Sequence, residues 1–258
     1  MSKKEQVLKQ ILEICEKEND YKFHNDVVKN ICKKVGFGNP FDVTKLDNTA
    51  KIPGIMFQKD FFILHLGEGY HQFVKGIKNG FHEFEDIDKK DIVEWKYRKS
   101  LLNEFDTSES NILSVGINQH IIHDFLYEDI IANPKVYSAR RTKATLKYKI
   151  GNKLIETSNL QMEIDLTMEF NGVVTIFEGK NDFPKNFAIY QLYHPFLYYQ
   201  KLKKENRLSI DKITCCYLLR KRKKGKSIIR IYNYTFAKKD DMSSIKLLKA
   251  RQYNLIQR

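Results

Sequence analysis

The sequence predicts an α+β protein, an α/β core built on a mixed sheet flanked by helices and preceded by a mostly helical region. Three observations carry that prediction. Through the first 35 residues apolar side chains recur at helical spacing. From about residue 136 onward, short runs rich in β-branched and aromatic residues alternate with turn signals, and one long helical stretch interrupts them at 187–205. The chain of 258 residues is 42% hydrophobic and holds 17 Phe and 14 Tyr, ample for a packed core, which excludes a disordered or fibrous chain.

The elements follow in order. Residues 3–18 set Val7, Leu8, Ile11, Leu12 and Cys15 on one helical face. Asn25 reads as the N-cap of a second helix with Val27, Val28, Ile31 and Cys32 inward, closed by Gly36 or Gly38. Asn39-Pro40 opens a third short segment. After Pro53-Gly54 the runs FFILHL and YHQFV flank Gly-Glu-Gly and predict a hairpin. Helices followed by a hairpin resemble, in architecture and over residues 1–80, a winged helix-turn-helix. Polar stretches at 83–91 and 103–111 read as surface connections, so the chain divides into an N-terminal region, 1–105, and a second domain, 106–258.

In that second domain a helix beginning at Asn111 or Ser114 runs to about Asp129, and Asn133-Pro134 stops it. VYSA, ATLKYKI and KLIET predict strands. The helix at 187–205 is kinked or interrupted by Pro195, and strands ITCCYLL and SIIRIYNYTF follow about the basic tip RKRKKGK. The tail from 243 reads as helical. Adjacent Cys215 and Cys216 point to opposite faces of their strand as packing residues, and the four cysteines show neither zinc-ligand nor disulfide spacing.

Charge is unevenly placed. The net value is +13, yet residues 1–105 hold 18 Lys/Arg against 17 Asp/Glu and residues 106–258 hold 27 against 15. A concentrated positive field gathers polyanions, of which nucleic acid is the commonest; a solvated Lys-rich surface is the other reading. No window approaches the ~18 apolar residues of a membrane span, and Met1-Ser2-Lys3-Lys4 does not begin a signal peptide, so a cytoplasmic protein without membrane contact is expected.

Residues 160–182 read LQMEIDLTMEF-NG-VVTIFEGKND. Asn171-Gly172 between β-rich arms predicts a two-residue type I′ turn, which fixes the register. Phe170 then faces Val173, Asp165 faces Glu178, and Glu163 faces Lys180. By alternation these acids and Lys180 share one face, while Met162, Ile164, Leu166, Met168, Phe170, Val173 and Phe177 form an apolar opposite face, the core side. Opposed carboxylates repel, and such local conflicts concentrate at functional sites. One Mg²⁺ reached by Asp165 and Glu178 would resolve the conflict, with Lys180 beside it to orient a water or offset developing charge. Exposed charges on an ordinary sheet are the alternative.

Asp165, a turn, then Glu178-Gly179-Lys180 resembles the active-site hairpin of the PD-(D/E)xK nuclease superfamily, whose order of helix, three antiparallel strands, helix and strand is similar to 111–236 here. Ile164 stands where the motif's Pro would be. The resemblance implies a Mg²⁺-dependent endonuclease, most concretely a type II restriction enzyme cutting double-stranded DNA at a specific sequence, as a homodimer, with a cognate DNA methyltransferase as genetic partner. Asp165 and Glu178 would be the metal ligands and Lys180 the third catalytic residue. Glu163 would be a further metal or water ligand, or simply pair with Lys180. Gln191 occupies the place of a Gln found on the helix after the ExK strand in some members. The superfamily often takes an acidic residue from the first core helix; Asp124 or Glu128 could serve, but both read first as solvent-facing.

The remaining expectations concern DNA. The N-terminal region would read bases. Arg140, Arg141 and Lys143 before the first core strand, and Lys221, Arg222, Lys223 and Lys224 in the basic tip, are candidate phosphate contacts. His65, His71 and His82 match no catalytic histidine spacing and are read as structural. A junction resolvase or repair nuclease on the same core, and a non-catalytic winged-helix DNA-binding protein, are the competing functions.

Overall fold

The computed structural model describes residues 1–98, 100–101, 108–223 and 226–257. Helix α1 (Lys3–Glu18) starts in a capping box: the Ser2 hydroxyl accepts the Glu5 amide while the Glu5 carboxylate accepts the Ser2 amide. Its buried stripe is the one the spacing predicts, Val7, Leu8, Ile11, Leu12 and Cys15. Strand β1 (Lys22–His24) leads into α2 (Asn25–Val35), capped by the His24 ring rather than by Asn25 and closed at Gly36 with φ 71°. Short helices α3 (Pro40–Val43) and α4 (Gly54–Gln58) precede the hairpin of β2 (Phe61–Gly67) and β3 (Tyr70–Lys75). β1 adds to β3, giving a three-stranded antiparallel sheet in the order β1-β3-β2.

The rest of the chain comprises α5 (Ile77–Gly80), β4 (Phe81–Glu83), β5 (Ile92–Tyr97), α6 (Glu109–Asn118), α7 (Ile121–Tyr127), β6 (Lys135–Tyr137), β7 (Arg140–Ala144), β8 (Lys147–Ile150) and β9 (Lys153–Glu156). Then come β10 (Leu160–Ile164), β11 (Leu166–Phe170), β12 (Val173–Lys180), β13 (Asn186–Ala188), α8 (Tyr190–Lys204), β14 (Lys212–Lys223), β15 (Lys226–Phe236) and β16 (Ile245–Gln257). Seven of these strands form one sheet in the order β5-β16-β15-β14-β12-β11-β6. Pairings β12/β14 and β16/β5 are parallel and the others antiparallel, so the sheet is mixed and the fold is α+β.

Both faces of this sheet are covered. Ile112, Leu113, Ile121, Ile122 and Phe125 of α6 and α7 pack on Leu166, Met168, Phe177, Cys216 and Leu218. On the other face Phe187, Leu192, Tyr193 and Phe196 pack on Val174, Ile176, Cys215 and Tyr217, in a cluster continuous with the N-terminal helices and hairpin. Cys215 and Cys216 thus serve opposite faces, as their adjacency predicts.

Several expectations change. The helix foreseen from Asn111 or Ser114 to Asp129 is two helices, broken at Gln119-His120, where His120 takes φ 56°. The tail from 243 is a strand rather than a helix, because β16 pairs with β15 along most of its length and buries Tyr253 and Leu255. Residues 160–170 are not one strand. At Asp165 the chain bends, and β10 leaves the sheet to pair with β7, with Glu163 opposite Arg141 rather than Lys180. Met162 and Ile164 therefore pack with Val174 and Ile176, while Leu166 and Met168 pack on the other side. The single apolar face predicted from alternation is divided because helices bury both sides of the sheet. Strand β5, within the region 1–105, forms an edge of the large sheet. Among the described residues no helix is long and apolar enough to cross a membrane.

Candidate active site

Asn171 (φ 50°) and Gly172 (φ 75°) both adopt left-handed backbone, the geometry of the two-residue turn their sequence predicts. The register follows: Phe170 pairs with Val173 and Leu166 with Phe177. Asp165 lies just beyond the last pair, at the bend. Its Oδ2 accepts the amide of Gly179 at 3.1 Å, which fixes the carboxylate beside β12 without a ladder bond. Gly179 also lets α6 approach, since a Cβ there would stand 3.2 Å from the Glu109 carbonyl oxygen and 3.4 Å from Leu113 Cγ.

Around that junction the polar groups converge. Glu178 is buried, with 9% exposure, and its Oε1 accepts Gln191 Nε2 at 2.8 Å and Lys180 Nζ at 3.0 Å. The Tyr217 hydroxyl donates to Gln191 Oε1 at 3.3 Å and so orients the amide toward Glu178. Lys180 Nζ also reaches Glu109 Oε1 at 2.6 Å. Glu109 stands in the first turn of α6, behind the Ser108 cap whose hydroxyl accepts the Asn111 amide. Asp165, Glu178, Lys180, Glu109, Gln191 and Glu163 line one cleft of about 320 Å³.

The electrostatics of this cleft record negative charge crowded out of water. Burial pushes the Glu178 carboxyl up to about 8, and the Asp165 charge adds to the shift against the opposing pull of Lys180. Burial likewise raises Asp165, with the Gly179 amide and Lys180 pulling the other way. Burial opposes the Lys180 charge, yet Glu178 and Glu109 together hold its pKa above the ordinary lysine value. Among the described residues no group of three or more His, Cys, Asp and Glu side chains is disposed as a metal cage. The donors of the cleft are carboxylate oxygens, the type a hard divalent cation takes, and two protein carboxylates with water and phosphate oxygens suffice for Mg²⁺.

Other expected residues are engaged differently from the sequence-based expectation. Glu163 is exposed and ion-paired to Arg141 (Nε–Oε1 2.5 Å), so its expected pairing with Lys180 does not form, because β10 diverges from β12. Asp124 and Glu128 are not the acids of the first core helix that reach the cleft. Asp124 binds Arg251 and the Tyr253 hydroxyl, and Glu128 binds Lys249. Glu109 holds that position, and it lies in a stretch that reads as a surface connection. Its signal was Ser108-Glu109 ahead of the apolar run from Ile112, a cap followed by an acid in the first turn.

Among the basic candidates, Arg140 donates to the Tyr199 hydroxyl at 2.8 Å and packs over Tyr198 and Tyr199. Lys143 is exposed and lines a groove that shares His65 and Gln161 with the cleft. Lys221 pairs with Asp182 at 3.4 Å, Arg222 lies in β14 beside it, and Lys223 ends that strand. Lys224 lies outside the described residues. His71 and His82 bind Asn25 and Glu85 as structural histidines, whereas His65 lines the cleft.

Comparison with known proteins gives two matches to family models. The family described as Domain of unknown function (DUF6997) matches residues 76–254, more than half of the chain. The chain belongs to that family. A second model, described as Domain of unknown function (DUF6996), matches residues 4–73, so the two matches are separated only by Val74 and Lys75, the last two residues of β3. No curated protein and no solved structure matches the chain.

Proposed function

We propose that the protein is a Mg²⁺-dependent deoxyribonuclease of the PD-(D/E)xK type, most concretely a type II restriction endonuclease hydrolysing phosphodiester bonds in double-stranded DNA at a specific sequence. The observation that carries this reading is the junction of Asp165, Glu178 and Lys180 in one cleft, supported by Gln191 and Glu109. Asp165 and Glu178 would hold the cation. Bound there, Mg²⁺ would supply charge stabilisation to the phosphoryl oxygens and make water acidic enough to attack at neutral pH.

The chain's own residues do the rest. Gly179 fixes Asp165 through its amide, and Gln191 and Lys180 fix Glu178, so neither carboxylate needs to reorganise on binding. Lys180, held protonated by Glu178 and Glu109, keeps a positive charge beside the oxygens on which negative charge accumulates as the phosphodiester is attacked. The positive excess of the second half of the sequence favours a polyanionic substrate. Cutting both strands of a palindrome calls for a two-fold dimer, and a restriction role calls for a neighbouring methyltransferase gene.

The test is digestion of plasmid DNA with and without Mg²⁺. Discrete metal-dependent fragments are expected. Nicking confined to branched or damaged DNA would move the protein to the resolvase or repair class, and a gel shift without cleavage would make it a DNA-binding regulator.

A further inference from the structure

The catalytic cleft has a second wall, contributed by the N-terminal region, and its chemistry differs from that of the acids opposite. Phe41 is 73% exposed and stands on the rim of the cleft that Asp165, Glu178 and Lys180 line. Lys45, four residues on and also exposed, lines the same cleft. The acid nearest to it in sequence, Asp47, is engaged with Lys51 at 2.7 Å.

The segment carrying these two side chains is firmly held. Val43 and Leu46 are buried in the main apolar cluster. Lys4 Nζ lies 3.1 Å from the Asp42 carboxylate, and it donates to the Lys45 carbonyl at 3.4 Å. Farther on, the Asp47 carbonyl accepts the Ala188 amide at 2.8 Å, and the Thr49 amide donates to Asn186 Oδ1 at 2.8 Å, both on the connection between β12 and α8. A phenyl ring kept in water on so rigid a support gives up the burial that folding ordinarily takes from it. A ring paired with a cation at the mouth of a phosphodiester-cleaving site has an obvious counterpart in a nucleotide, which offers a flat apolar face and a phosphate together.

We propose that Phe41 is a stacking platform for a nucleobase adjoining the cleaved phosphodiester, and that Lys45 holds a neighbouring phosphate. The proposal rests on the nuclease reading and narrows its substrate. A base inside a continuous duplex stack presents no free face to Phe41, so the strand entering the cleft has one base out of the stack, as at an extruded nucleotide, a mismatch or an end. A phenyl ring reads no base edges, so this platform tolerates any sequence, and discrimination among bases comes from elsewhere.

The experiment is fluorescence anisotropy in metal-free buffer with EDTA, which measures binding without cleavage. Two labelled strands of equal length are compared: an oligothymidylate and a base-free deoxyribose-phosphate oligomer. Wild type is expected to bind the first about tenfold more tightly, within the range that one stacked base contributes. Phe41→Ala should remove that preference and leave the base-free strand's affinity unchanged, and Phe41→Trp should restore it. Lys45→Ala should weaken both strands alike and lower the salt slope by roughly 0.7. Equal loss on both strands with Phe41→Ala, or no loss on either, overturns the platform. Wild type binding neither strand also overturns the platform, as does cleavage by wild type and by Phe41→Ala with identical strand preferences; the nuclease reading falls separately, if wild type shows no Mg²⁺-dependent cleavage of plasmid DNA.

Discussion

The Asp165 carboxylate accepts the Gly179 amide at 3.1 Å, and this bond joins the bend after β10 to the strand that carries Glu178 and Lys180. An asparagine side chain retains an acceptor oxygen at that place but not the charge. Asp165→Asn should therefore keep its urea-unfolding free energy within about 1 kcal/mol of wild type while Mg²⁺-dependent plasmid cleavage falls at least ~100-fold. Asp165→Ala, which leaves the amide without its acceptor, should lose the same activity and an additional ~1–3 kcal/mol of stability. Cleavage by the Asn variant at the wild-type rate would remove this carboxylate from the chemistry.

Glu109 is the second carboxylate that holds Lys180, at 2.6 Å, beside Glu178 at 3.0 Å. It is a half-exposed residue at a helix start, so its contribution to stability is small. Glu109→Gln should leave the melting temperature nearly unchanged and reduce cleavage by roughly 10- to 100-fold, the cost commonly attached to outer partners of a reacting group. Because the loss is one of positioning, it should appear in kcat rather than in KM for DNA. A change confined to KM would make Glu109 a substrate contact instead.

The differing fates of Asp165 and Glu109 as sequence-based expectations have physical causes. Asn171-Gly172 made the turn legible, because few residue pairs accept two left-handed conformations in succession, and the register of five strand pairs follows from it. Alternation then extended the register too far. Nothing local in Ile164-Asp165-Leu166 marks a bend, which arises from the pull of β7 on β10 and from burial on both sides of the sheet. Strict alternation therefore sets Glu163 opposite Lys180, whereas the bend brings it to Arg141. The role of Glu109 is not legible in the sequence because it depends on how α6 docks against Gly179, a contact between residues 70 positions apart that no spacing rule encodes. The charges and leucines of β16 fit either a helical or a strand period, and only pairing with β15 decides between them.

At Gly179, α6 approaches β12 closely. A methyl group there would press on the Glu109 carbonyl oxygen, 3.2 Å away, which belongs to helix backbone and cannot swing aside. Gly179→Ala should cost about 1–3 kcal/mol, as overpacked sites do, and should displace Glu109 from Lys180. Cleavage should then fall further than the loss of folded protein explains. Activity per folded molecule, with the folded fraction measured by circular dichroism, checks this. An unchanged specific activity would show that α6 can move without disturbing the lysine.

Two buried histidines outside the reacting groups should make stability fall on the acid side. Burial pushes both His71 and His194 down to about 3 from an ordinary value near 6.5. Neighbouring histidines add to each shift. For His71 the reason is visible: Nε2 donates to Asn25 Oδ1 at 2.7 Å, while Nδ1 is buried with no hydrogen-bond partner among the described residues, so a second proton would sit where nothing accepts it. His194 is enclosed too, with its Nε2 2.7 Å from the Tyr148 hydroxyl. Both folded pKa values lie below the unfolded one. Below about pH 6.5 the unfolded chain therefore binds protons that the native state refuses, and stability present at neutral pH drains away as pH falls toward 3. Each site contributes a slope of at most ~1.4 kcal/mol per pH unit. Urea unfolding of wild type and of the His71→Gln/His194→Gln variant at pH 7, 6 and 5 isolates the effect, because other titrations cancel in the difference. The wild type should lose ground to the variant by roughly 2 kcal/mol between pH 6 and 5. Parallel pH curves would mean that these rings take up protons in the native state, and that the packing around them gives way more easily than their burial implies.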